Sequence, residues 1–331
     1  GYATVGSSCN FIVGNGGVIK AGAVYSPTGP AAGFMNFTVK TGGKLELTGT
    51  TGFPAGTANW STINNRYNFE NGSTVEYSAA GNQSVLTQQD FISSVSQNQY
   101  WHLIISGSGV KTIRAGLVLT IRGDLTITGG IASLDQLTNG TDIAIGGNWS
   151  NYNLTGFNES TNAAKSVKFY GSQAVQTIMC PSGERFYNLW IAKTGNTLVR
   201  MMNDVYVVNQ LTLGQGNGIQ TGILQLNKNA LTLESPSTSA IKLIGNPTTA
   251  GGSNYRYIVA EDSTGGCASL VKWKIGTGTG LYIIPFGINS TLDTIPFYIN
   301  KQANDAAGEL SVATYGTPAS NLPWPTAPAQ V

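Results

Sequence analysis

The sequence predicts an all-β protein whose first 250 residues form a right-handed parallel β-helix, a solenoid of stacked coils. Three observations indicate this fold class. Apolar residues alternate with polar ones over short stretches, small polar residues separate those stretches, and one block of alternation recurs further along the chain. No stretch has the apolar spacing of an amphipathic helix, and the 43 glycines interrupt nearly every window in which a helix could form.

The recurring block spans residues 100–130 and again residues 186–216. Leu103 and Leu189 stand 86 residues apart (189 − 103 = 86), and six further apolar pairs share that offset. The apolar spacing is copied while the residues between the apolar positions differ. Such self-similarity is typical of a repeat architecture, in which each unit buries its apolar face against its neighbours.

The match continues upstream with a longer offset. Gln83 and Gln176 stand 93 residues apart (176 − 83 = 93), so the first copy holds a loop that is 7 residues longer (93 − 86 = 7). Insertions of this kind lie on the surface and leave the core register unchanged. We therefore divide residues 1–250 into repeat units at about 68–160 and 161–245, with a partial unit before residue 68.

The predicted strands of the solenoid are short and rich in β-branched and aromatic residues. Tandem β-sandwiches are the alternative fold, because their strands have similar spacing. The solenoid is preferred since the units repeat without the long connections of a Greek key. In chain order, the predicted strands span Thr74–Tyr77, Leu103–Ser106, Leu117–Ile121, Leu125–Thr128, Asp142–Ile145, Val167–Tyr170, Leu189–Ala192, Val205–Val208, Leu211–Leu213, Leu224–Leu226, Leu231–Leu233 and Ile241–Ile244.

The pattern changes after residue 250, where the predicted strands become longer and prolines fall near their ends. We predict a small antiparallel, β-sandwich-like module over residues 251–331, ending in a Pro-rich linker. A solenoid needs such a cap, since its last coil would otherwise expose an open sheet edge. The five predicted strands are Tyr255–Ala260, Ala268–Ile275, Gly280–Phe286, Thr294–Ile299 and Glu309–Tyr315.

Composition excludes several classes of function. Charged residues make up 10% of the chain and the net charge is +2, so there is no basic footprint for nucleic acid. No apolar run approaches the roughly 20 residues of a membrane-spanning helix, so we predict that the chain does not span a membrane. Cys9, Cys180 and Cys267 follow no metal-binding spacing, and their disulfide pairing is left open. No cofactor is predicted; calcium is left open, although no calcium motif occurs.

Four residues are candidates for catalysis. Asp124, Asp135 and Asp142 lie in successive segments and could stack on one face, and His102 is the single histidine. Glycoside hydrolysis needs two carboxylates about 5–10 Å apart. We favour a turn-capping role for the three aspartates and a surface or edge position for the histidine. The sequence therefore predicts a protein that is not an enzyme.

Aromatic side chains are candidates for binding sugars. Trp101 and Tyr187 share the 86-residue offset, so an aromatic ring is expected to recur along one side of the rod. Trp149 is a third candidate, because an exposed ring can stack on the face of a sugar. The competing interpretation is that these rings pack inside the core or between coils.

Several phrases resemble the repeats of large surface and secreted proteins of Bacteroidetes that are exported by the type IX secretion system. The resemblance covers roughly residues 35–315. It implies an adhesin-like solenoid at the cell surface, with the secretion machinery and surface glycans or proteins as partners. It also implies O-glycosylation at Ser263 and Thr294. The phrases are Asn71–Tyr77 with Gly81–Val85, His102–Gly109, Gly123–Gly130, Ile145–Trp149, and Gly280–Gly287 followed by Thr294–Phe297.

These observations predict a non-catalytic extracellular protein, a stalk or adhesin segment displayed on the bacterial cell surface. The first alternative is a β-helix that binds or degrades polysaccharides. The second alternative is a subunit that assembles into a surface filament through open sheet edges.

Overall fold

The regular structure of the protein consists entirely of β-strands in the part described by the computed structural model. Most strands pair in parallel with the equivalent strand of the next coil, so the predicted β-solenoid is confirmed. The described residues are 9–24, 35–53, 66–87, 100–116, 118–195, 197–215, 220–244, 255–261, 269–288, 294–303 and 306–314.

The first face of the solenoid is a column of parallel strands. Tyr100 bridges in parallel to Ile121, and its ring stacks on that of Phe69 with the ring centroids 5.6 Å apart. The strands that belong wholly to this face are β1 (Cys9–Val13), β3 (Met35–Val39), β5 (Arg66–Phe69), β10 (Val118–Ile121), β13 (Asp142–Ile145), β16 (Val167–Gly171) and β23 (Ile241–Leu243).

The second face holds the longest column, and it follows the first face along each coil. Its strands are β2 (Val18–Ala23), β4 (Lys44–Gly52), β6 (Thr74–Tyr77), β8 (His102–Ile105), β11 (Leu125–Ile127), β14 (Trp149–Asn151), β17 (Val175–Met179), β19 (Leu198–Met201), β21 (Gln220–Gln225), β24 (Arg256–Val259) and β26 (Gly280–Gly287).

The third face completes each coil. Two long strands, β18 (Glu184–Thr194) and β20 (Val205–Leu213), turn from this face onto the first face, and their pairing shifts register between Phe186 and Asn188. The other strands of this face are β7 (Gln83–Val85), β9 (Ser108–Ile113), β12 (Ile131–Asp135), β15 (Phe157–Asn158), β22 (Ala230–Leu233) and β25 (Leu270–Ile275).

Apolar ladders fill the interior of the stack. On the second face Val75, Leu103, Leu125 and Trp149 lie in register in successive coils, and all four are buried. Each coil presents only a few apolar side chains, so burial depends on the coils above and below it. One continuous core cluster extends in this way from Val13 to Phe286.

The corners between faces contain buried polar side chains. Gln83 donates two hydrogen bonds from Nε2, to the Leu47 carbonyl (2.9 Å) and the Gly49 carbonyl (2.8 Å) of the preceding coil. Gln176 does the same to the Ile145 carbonyl (3.2 Å) and the Gly147 carbonyl (2.7 Å). The two glutamines, matched in the sequence at an offset of 93 residues, thus satisfy backbone carbonyls at two different corners: Gln83 between the second and third faces, and Gln176 between the first and second.

The 86-residue offset does not relate equivalent faces. Leu103 lies in β8 on the second face, whereas Leu189 lies in the part of β18 that belongs to the first face. The repeating unit is the single coil, which takes 24 residues where Leu119 pairs with Ile143 (143 − 119 = 24). Three short strands per coil with similar alternation make different faces resemble one another in sequence.

The parallel stack continues across residue 250, where the sequence predicts the boundary between the solenoid and a second module. Strands β24 and β25 pair in parallel with β21 and β22 of the solenoid. Antiparallel pairing is confined to β26 with β27 (Thr294–Lys301) and β25 with β28 (Gly308–Val312). Trp273 and Phe286 belong to the same core cluster as the earlier coils. The antiparallel strands therefore extend the solenoid instead of forming a core of their own.

Candidate ligand-binding surface

Trp149 cannot act in sugar stacking as predicted, because its side chain is fully buried. The indole packs edge-on against Phe157 and Phe186, with ring centroids 4.8 Å and 5.2 Å away. Its Nε1 donates a hydrogen bond of 2.6 Å to Oε2 of Glu184, which also lies in the core. The interpretation as a core aromatic therefore holds for this residue.

Trp101 and Tyr187 are both partly exposed but do not share one side of the rod. Trp101 precedes β8 at the corner between the first and second faces. Tyr187 lies in β18 where this strand turns from the third face onto the first. The aromatic row expected from the 86-residue offset is therefore absent for this pair.

The three candidate aspartates lie on different faces and form no catalytic pair. Asp124 precedes β11 of the second face, Asp135 ends β12 of the third face, and Asp142 begins β13 of the first face. The structure does not bring the carboxylates together as a stack.

Each of these carboxylates accepts hydrogen bonds from nearby backbone amides. Oδ1 of Asp135 accepts from the amides of Leu137 (3.0 Å) and Thr138 (3.3 Å), an Asx-type turn. Oδ1 of Asp142 accepts from the Ser166 amide of the next coil at 2.8 Å. Asp135 thus makes the turn-capping contacts preferred from the sequence, whereas Asp142 bonds the neighbouring coil.

His102 and Asp124 are neighbours in adjacent coils, which the sequence did not indicate. Nδ1 of the imidazole accepts a hydrogen bond from the Asp124 amide (3.1 Å) when the ring is neutral. When protonated, the same atom lies 3.3 Å from Oδ2 of Asp124. The imidazole and the amide of Asn148 hold the pKa of the Asp124 carboxyl below its usual value, against the opposing effect of burial.

This His–Asp pair belongs to a ladder of polar contacts on the second face. The Asn148 amide donates to Oδ1 of Asp124 at 2.7 Å, and the Thr177 amide donates to Oδ1 of Asn148 at 2.9 Å. Further along, Arg200 donates from Nε to Oε1 of Gln225 at 2.7 Å. These hydrogen bonds join neighbouring coils. This structural role is enough to explain why polar residues occur at these positions.

Glu184, Lys111 and Lys193 are ionisable side chains buried in the solenoid. Burial raises the pKa of Glu184 to about 7, although hydrogen bonds from Asn151 and Trp149 act in the opposite direction. Burial lowers the pKa of Lys111 and of Lys193 to about 8. Nζ of Lys111 donates to three backbone carbonyls, and Nζ of Lys193 donates to Oε1 of Gln176 at 2.6 Å. These groups have structural partners and do not face solvent.

Two cations lie over aromatic rings on the outer surface. The guanidinium of Arg122 is 5.2 Å from the ring centroid of Trp101, and Nζ of Lys168 is 4.2 Å from that of Trp190. Neither pair was predicted from the sequence, although the partners are about one coil apart (122 − 101 = 21 and 190 − 168 = 22). The spacing of about one coil is a signal in the sequence, but it does not give the register that places each cation over its ring.

We name this surface the axial strip and define it by Trp101, Arg122, Gly146, Lys168, Tyr170 and Trp190. It follows the solenoid axis at the edge of the first face, since Lys168 pairs with Trp190 and Tyr170 with Ala192 in the neighbouring coil. All six residues are partly exposed. Cations and aromatic rings on a continuous surface are suited to binding a polar ligand with negative charge.

The remaining predicted site residues yield less information. Ser263 and Cys267 lie outside the described residues. Thr294 begins β27, where its backbone pairs with Gly287, and Cys9 begins β1. Cys180 is a buried free cysteine, and burial raises the pKa of its thiol. Within the described residues, no group of three His, Cys, Asp or Glu side chains is arranged to hold a metal ion.

No family model matches the chain, and neither the curated proteins nor the solved structures include a significant match. A search of the described residues finds no helix of the length and apolarity needed to cross a membrane. The fold is thus that of a β-solenoid, and the function has to be argued from the surface of this chain.

Proposed function

We propose that the chain is a non-catalytic structural or adhesion element of the bacterial cell surface, a stalk or adhesin segment. The observation that carries this proposal is the use of the polar side chains. The candidate carboxylates of Asp124, Asp135 and Asp142 bind backbone amides and lie on separate faces. Carboxylates used in such hydrogen bonds hold the stacked coils together. A rod of stacked coils is the structure that a stalk requires.

Extracellular display and export by a type IX secretion system are part of the same proposal. They are supported by the repeat phrases that resemble exported surface proteins and by a surface built mainly of uncharged polar residues. O-glycosylation at Ser263 and Thr294 would accompany export by that route.

Attachment under flow tests this proposal. Beads that carry the folded chain should be retained on surfaces coated with glycans or with cell-surface proteins, whereas beads carrying heat-unfolded chain should wash away. Weak contacts repeated along many copies would multiply in such an assay. Release of soluble sugar from the coating by the folded chain would contradict a non-catalytic role.

Carbohydrate binding is a second candidate function, and the axial strip favours it. Partly exposed rings and cations on one side of a rigid rod can contact several units of an extended saccharide. Enzymatic degradation has weaker support, because His102 and Asp124 have no second carboxylate beside them among the described contacts.

Self-assembly into a filament is a third candidate, favoured by the exposed strand β27. Ile295, Phe297 and Tyr298 on this strand are 42%, 39% and 58% exposed, and its only strand partner in the described part of the chain is β26. Apolar edge strands promote pairing with other chains. Fibres that form with increasing concentration and that disappear in Tyr298→Lys would support assembly, whereas a monodisperse monomer would count against it.

A further inference from the structure

The axial strip carries two cations that have no carboxylate partner in the described residues. Several other surface cations are neutralised by a neighbouring coil, as Lys20 is by Glu46 at 3.0 Å and Lys274 by Glu234 at 3.2 Å. Arg122 and Lys168 form no comparable ion pair, and burial lowers the pKa of both. Two unneutralised positive charges on one surface favour an anionic ligand.

The surroundings hold both cation–ring pairs in place before any ligand arrives. Arg122 donates from Nη2 to the Phe69 carbonyl at 2.8 Å, which directs the guanidinium toward Trp101. Trp190 donates from Nε1 to the Gly214 carbonyl at 2.7 Å, which fixes the indole beneath Lys168. Because these side chains are already ordered, binding loses less conformational entropy than it would with free side chains.

Only small residues lie on the surface between the two cation–ring pairs, so no large side chain would obstruct a ligand there. Ala144 and Gly146 occupy the coil between Arg122 and Lys168, and both are partly exposed. Gly146 has to be glycine, because a Cβ there would collide with the backbone carbonyl of Arg122. Four coil steps of about 4.8 Å separate Trp101 from Trp190, so the strip is roughly 20 Å long.

We propose that the axial strip binds an acidic oligosaccharide, such as a polyuronate, that lies along the solenoid axis. Carboxylates of the saccharide would pair with Arg122 at one end and Lys168 at the other, and sugar rings would pass over Ala144 and Gly146 beside Tyr170. This inference rests on carbohydrate binding, the second candidate function above, and assigns that function a surface and a ligand class.

The charge pattern favours an acidic saccharide over a nucleic acid. Single-stranded nucleic acid carries a charge on every nucleotide and is bound by many cations in a row. The strip offers two cations, two coil steps or roughly 10 Å apart, which is fewer than a run of phosphates needs, whereas a saccharide can place one carboxylate at each of them. The net charge of +2 provides no additional long-range attraction.

Isothermal titration calorimetry with a purified galacturonate hexasaccharide tests the proposal. Arg122→Gln and Lys168→Gln should each weaken binding about tenfold, the effect of losing one charge-assisted contact. Ala144→Glu should weaken it similarly by placing a negative charge between the cations. Lys272→Gln on the third face is the matched control, because it changes the net charge equally at a partly exposed lysine, and it should leave the affinity unchanged.

Four results would overturn the assignment, and they separate it from carbohydrate binding in general. Equal loss in Lys272→Gln would reveal nonspecific charge attraction. If a neutral hexasaccharide bound as tightly as galacturonate and Arg122→Gln had no effect, the axial strip would be excluded as the binding surface. Carbohydrate binding in general would not be refuted by that result. Absence of binding to every saccharide would refute both the axial-strip assignment and carbohydrate binding in general. Tighter binding of a single-stranded oligonucleotide would indicate nucleic acid as the ligand class instead. Circular dichroism and thermal unfolding of each variant establish that it is folded.

Discussion

Glu184→Gln should remove most of the change in stability between about pH 5 and pH 8. Glu184 lies in the core at 4% exposure, where Oε2 accepts hydrogen bonds from Trp149 (2.6 Å) and Asn151 (3.0 Å). Burial raises its pKa from 4.5 to about 7. A carboxyl with a raised pKa binds its proton more tightly in the folded state than in the unfolded state.

The direction of the pH effect follows from this difference. Below about pH 4.5 the carboxyl is protonated in both states and contributes nothing to the pH dependence. Between pH 4.5 and 7 the unfolded chain loses the proton first, so the free energy of unfolding falls as the pH rises. Above pH 7 the loss is complete and amounts to about 3 kcal/mol, from 1.36 kcal/mol for each of roughly 2.5 pKa units.

Equilibrium urea unfolding, followed by tryptophan fluorescence at several pH values, measures this effect. Glu184→Gln imitates the protonated carboxyl, so it should match the wild type near pH 5. At pH 8 it should be more stable by about 2–3 kcal/mol. Lys272→Gln, which alters a partly exposed residue on the third face, should leave the pH dependence largely unchanged. An unaltered slope in Glu184→Gln would refute an ionised carboxyl buried beside Trp149.

Three further predictions concern the interior of the solenoid. Leu125→Ala should lower the free energy of unfolding by about 2–5 kcal/mol, measured by urea unfolding, because its side chain is fully buried in the ladder between Leu103 and Trp149. Lys111→Met should also destabilise, by about 1–3 kcal/mol, because three backbone carbonyls lose their donor; unchanged stability would contradict their dependence on Nζ. Cys180 should react with iodoacetamide only after unfolding, as peptide mass spectrometry would detect, and modification of the folded chain would refute its burial.

Strand positions could be predicted from the sequence because one side of each strand is buried. Thr74–Tyr77 and Asp142–Ile145 agree with β6 and β13 at both ends. Alternation with a period of two is decisive where the inner residues are completely buried and the outer ones remain in contact with solvent.

Pairing direction and long-range equivalence could not be predicted in the same way. The stretches that became β24 and β25 look like antiparallel strands, yet they extend the parallel stack. Alternation is the same whether a neighbouring strand runs parallel or antiparallel. The 86-residue offset was misleading for a related reason, because the three faces of a coil have similar patterns.

The surface was harder to predict than the core. Trp149 was a candidate for an exposed ring and is buried, because spacing alone does not distinguish an inward ring from an outward one at the start of a short strand. The contacts of Arg122 with Trp101 and of Lys168 with Trp190 join neighbouring coils and depend on their exact register, which becomes known only when the coils are stacked.

A glycan-array screen of the purified chain, with and without calcium and with product release followed in the same wells, tests the proposed function most directly. The account predicts retention of acidic saccharides without release of product. Product formation that is lost in Asp124→Asn or His102→Gln would contradict a non-catalytic role and would make the His–Asp pair of the second face an active site.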